Sequence, residues 1–68
     1  MNKDYLFNEI EKFMVKVKND YLNNEITKLK YELMYIELRN LIKNSIDRDL
    51  LLLITKFDAI KTTYLIMK

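Results

Sequence analysis

The stretch Asp47–Lys68, DRDLLLLITKFDAIKTTYLIMK, decides the fold. Leu50, Leu53, Phe57, Ile60, Tyr64 and Met67 recur in it at alternating steps of three and four, which keeps large apolar groups on one stripe of a helix. Leu52, Thr55, Ala59, Thr62 and Ile66 repeat the same rhythm. At roughly 100° of turn per residue this second line falls nearly opposite the first. A helix dressed in this way needs neighbours on two sides.

The rest of the chain supports a helical reading. It contains no Gly and no Pro, where a chain of this length would ordinarily carry about five and about three. Tight hairpins need residues that tolerate positive φ, with Gly foremost. Gly-rich phosphate loops are excluded outright. The first helix is expected over residues 4–18, with Leu6, Phe7, Ile10, Phe13, Met14 and Val17 on one side and a cap from Asn2 or Asp4. Continuing its stripe lands on Asp20 and Asn24, and the next apolar line begins at Leu22, about two residues out of phase. That jump argues for a break near 19–24, one bent helix over 4–43 being the alternative.

The second helix is expected over 22–43, its first stripe being Leu22, Ile26, Leu29, Leu33 and Ile36. Asn40 continues that line, either as a buried register-setting amide or at a frayed, wet end. A second patch, Tyr31, Met34, Tyr35, Leu38, Leu41 and Ile42, lies roughly opposite. The third helix is expected over 47–67, capped from Ser45 or Asp47, with Ile46 stapling the entry against Leu50 or Leu51. The fold class is therefore all-α: one domain, 1–68, forming a small three-helix bundle built on an antiparallel hairpin with a heptad-like rhythm.

Composition narrows the chemistry. With no Cys and no His, disulfides, thiolate or imidazole metal sites and His-based catalysis are excluded, and no cofactor or metal is expected. Ser45 has no imidazole to activate it and stands where a cap belongs. Glu25 and Glu32 share a face as a carboxylate pair does, but a solvated helix surface accounts for them. Asp47, Asp49 and Asp58 lack calcium-loop spacing, and helix-start electrostatics explains the first two. The chain is expected not to be an enzyme.

Twelve basic and ten acidic residues leave a net charge of +2, with both signs in every third of the chain. Lys12, Lys16, Lys28 and Lys30 are interleaved with Glu9, Glu11, Glu25 and Glu32. A nucleic-acid-associated dimeric regulator is thus the alternative function and not the first. No apolar run approaches a membrane span, and Asp4 and Glu9 interrupt any signal-peptide core. A cytoplasmic location, in a cell or a host, follows as the expectation. The abundance of Asn, Lys and Ile suggests an AT-rich genome, such as that of a virus or mobile element.

Half of the residues are apolar. A chain this short buries only about 60% of the surface its unfolded form exposes. Two helices with two apolar lines each offer more surface than three helices can hide. The expected function is accordingly a self-associating helical interaction module, a dimer by preference. It would dock on another protein as an adaptor, inhibitor or assembly factor. The candidate interface is Tyr31, Met34, Tyr35, Leu38 and Ile42 on the second helix and Leu52, Thr55, Ala59 and Ile66 on the third. The tyrosine patch can equally be core against the first helix.

Overall fold

Alternating apolar steps of four and three carry α1 from Lys3 to Leu22. The computed structural model describes residues 3–47 and 49–67, with the side chains of 46 and 47 excepted. Two further helices follow among the described residues, α2 (Lys28–Lys43) and α3 (Leu50–Met67), with a single 3-10 turn, Asn44–Asp47, between them. The chain is all-α: a compact bundle of mutually packed helices with no strand among the described residues. The cap from Asn2, the cap from Asp47 and the staple from Ile46 fall outside what is described.

α1 continues four residues beyond the expected end at 18. Its buried positions are Leu6, Ile10, Phe13, Val17 and Asp20, so the stripe does not stop at the aspartate but ends on it. The chain reverses only at Asn23–Thr27. There the Glu25 N–H donates to the Asp20 carbonyl (2.8 Å) and the Asn24 N–H to the Tyr21 carbonyl (3.0 Å). Asn24 has φ 62°. This is a Schellman stop, with Asn in the left-handed position that Gly usually fills. In a chain without Gly, Asn is the next residue to tolerate that conformation.

α2 starts six residues later than expected. Thr27 is its cap: extended at φ −75°, ψ 160°, its hydroxyl accepts from the Lys30 N–H at 3.1 Å. Lys43 lies in the last turn, where the helix dipole favours a cation. α3 is capped by Asp49, whose carboxylate accepts from the Leu51 N–H at 2.9 Å. Ser45 is buried in the turn, and the Lys3 ammonium donates to its carbonyl at 2.6 Å.

The core joins Leu6, Ile10, Phe13 and Val17 from α1, Leu38 and Leu41 from α2, and Leu53, Phe57 and Tyr64 from α3. Phe13 is its centre, meeting Phe57 edge-on at 5.9 Å and Tyr64 at 5.5 Å between ring centroids. On α3 the burial follows the periodicity, with Leu53, Phe57 and Tyr64 buried and Leu50 and Ile60 half-buried. Met67 is exposed. On α2 the face that turns inward is the tyrosine patch, the alternative in which it is core against α1. Leu29, Leu33 and Ile36 are 66%, 53% and 56% exposed, whereas Leu38 and Leu41 are buried and Tyr31, Met34 and Ile42 pack on the core. Asn40 is exposed, so within this chain it is no buried register residue. The rings decide the choice: Tyr31 stacks on Tyr21 of α1 at 4.8 Å, planes 4° apart, and touches Tyr35 at 5.4 Å. A tyrosine face buries more area than a leucine face while its hydroxyls reach the rim.

Candidate interaction surface

The outward side of the bundle is built from the lines the core did not use. On α3, Leu52, Thr55, Ala59 and Ile66 are all exposed, Ile66 at 77%. On α2 the exposed apolar line is Leu29, Leu33 and Ile36. The residues expected there divide: Leu38 is fully buried, Tyr31, Tyr35 and Ile42 are half-buried toward α1, and Met34, also half-buried, lines the cleft between α2 and α3. Leu38 has no surface to offer a partner. Leu29, Leu33, Ile36 and Met67 join the outward side in addition to the residues expected there, and the first three share one helical spacing.

Between α2 and α3 these lines flank a continuous cleft. One half, about 490 Å³, has walls that include Leu29, Leu33, Ile60, Thr63 and Met67. The other, about 450 Å³, is lined by Asn40, Leu41, Asn44 and Lys56. Glu37, Ala59 and Ile60 belong to both and join them.

Where α1 ends against α3 lies a buried polar cluster. The Tyr64 hydroxyl donates to the Asp20 carboxylate at 2.5 Å, and the Lys16 ammonium lies on the same oxygen at 3.3 Å. This is how an aspartate tolerates a core position: a buried charge must be paired and hydrogen-bonded. No sequence-local signal could have found Tyr64 as the partner, 44 residues away. Burial raises the Tyr64 pKa, and the hydrogen bond to Asp20 and the charges of Asp20 and Glu25 raise it further.

The sign follows directly. The fold favours neutral Tyr64 relative to the unfolded chain, where a tyrosine ionises near pH 10. That stability is fully present below about pH 10 and is lost as pH rises from there through the raised folded value. Tyr64→Phe is expected to cost about 1.5–3 kcal/mol at neutral pH, as for a hydrogen bond to a charged group. It should also flatten the loss of stability above about pH 10. Urea midpoints measured across that range for both proteins test this. An unchanged alkaline slope in the variant would assign it to other groups.

Several lysines are already engaged within the chain. Lys12 pairs with Glu9 at 3.7 Å and Lys16 with Asp20. Lys30 sits 5.2 Å over the Tyr64 ring and Lys61 4.9 Å over Phe57. Among the described residues no three acidic groups converge as metal ligands, and no helix is long and apolar enough to cross a membrane. What the surface offers is shape and apolar area. No family model matches the sequence, and neither a curated protein nor a solved structure matches it.

Proposed function

We propose that the chain is a helical protein–protein interaction module that self-associates, as a dimer by preference, and acts by docking on a partner protein rather than by catalysis. One observation carries the reading. Of the eleven exposed large apolar side chains among the described residues, eight lie on the neighbouring helices α2 and α3. Monomeric proteins rarely leave contiguous apolar patches beyond a few hundred Å² in water. Covering such a patch at roughly 25 cal/mol per Å² contributes several kcal/mol, comparable with the whole stability of a small domain.

The framework of the module is an antiparallel α2–α3 hairpin. The cleft walls support this, since Lys30 lies opposite Tyr64 at one end while Asn40 and Leu41 share a wall with Lys56 at the other. The absence of Cys and His leaves no ordinary nucleophile–base pair, which favours binding over chemistry. Light scattering on the purified protein at tens of micromolar is expected to give twice the mass of one chain, falling on dilution. A strictly monomeric mass would remove self-association and leave the surface to a foreign partner.

A further inference from the structure

We infer that the α2–α3 face seats a second copy of this chain, with the two-fold axis running along the cleft, so that two α2–α3 pairs form a four-helix core flanked by the two α1 helices. This rests on the self-association reading above and adds where, and in what orientation, the copies meet.

The dimensions allow it. The chain extends 35 by 18 Å along its two longest axes, which bounds the projection of one side at about 630 Å² before side chains are added, the same order as the ~800 Å² per partner of a standard interface. Both halves of the cleft are predominantly apolar, so the axis is set by which helices meet. An axis across the cleft would lay α2 of one copy on α2 of the other. An axis along it sets α2 of each copy against α3 of the other. Because α2 and α3 run in opposite directions, every neighbouring pair in the resulting core is antiparallel, the usual arrangement of a four-helix bundle.

The charges agree. Glu37 and Lys56 both line the cleft, and neither has an ion pair within its own chain among the described residues. The same axis carries Glu37 of one copy to the Lys56–Ala59 level of the other, and symmetry forms that pair twice. Ala59, small and exposed at the middle of the cleft, lets the helices approach.

Because the chain has no cysteine, introduced thiols report the geometry without background. Copies bearing only Leu33→Cys are mixed with copies bearing only Thr63→Cys and oxidised, with circular dichroism and light scattering confirming fold and mass. The mixed disulfide is expected to exceed both homodimeric ones, and Val15→Cys, on α1, is expected not to cross-link. Glu37→Lys should raise the dimer dissociation constant about 10-fold or more, and adding Lys56→Glu should restore it. A dimeric mass with Val15→Cys cross-linking in place of the mixed pair would overturn this face while self-association stands. A monomeric mass with no cross-link would overturn both.

Discussion

Leu53→Asp is expected to abolish the cooperative unfolding transition. Leu53, on α3, is fully buried as a member of the core cluster. Truncating a buried leucine alone costs about 2–5 kcal/mol. The carboxylate adds an unpaired charge, where even a neutral unpartnered polar group costs about 1–3 kcal/mol more. At roughly 0.05–0.15 kcal/mol per residue, a domain of this size has only about 3–10 kcal/mol to lose. Far-UV circular dichroism should show most of the helical signal gone at 25 °C, with no sigmoidal melt. Ile66→Asp, on the opposite and exposed line of the same helix, should keep the helical signal and a cooperative melt. If the two variants melted alike, the assignment of inner and outer faces on α3 would be wrong.

Phe13→Ala is the second large effect. The ring is nearly buried and lies edge-on against both Phe57 and Tyr64, so one side chain ties α1 to two turns of α3. Emptying such a site costs about 3–5 kcal/mol, and each edge-to-face pair contributes about 0.5–1.5 kcal/mol beyond area. For a domain of this size, each kcal/mol lowers the melting temperature by roughly 4–8 °C. A drop of about 15 °C or more is therefore expected in calorimetry. A loss under about 1 kcal/mol would mean that α1 is held mainly by its other contacts, the Tyr21–Tyr31 stack among them.

The all-helical class and the two lines of α3 were legible from residue order, because both follow from local sterics. A chain without Gly or Pro has little means of making tight hairpins. The 3.6-residue period places Leu53, Phe57 and Tyr64 opposite Leu52, Thr55, Ala59 and Ile66 whatever the neighbours are. The stop after α1 was legible only as a region. Asn19, Asp20, Asn23 and Asn24 all have breaking chemistry, and only the backbone at Asn24 shows which one is used.

Two matters lay beyond local rules. Asp20 read as the end of a stripe because an unpartnered carboxylate does not belong in a core, and its hydroxyl donor comes from the far end of the chain. α2 carried two apolar faces of similar weight, and periodicity has no means of ranking them. The choice went to the face whose tyrosines could stack against α1, which sent Leu29, Leu33 and Ile36 outward. Helix content and the opposition of faces are properties of a single segment, so the sequence by itself determined them. Which face turns inward is settled by energies between segments, and those exist only once the helices meet.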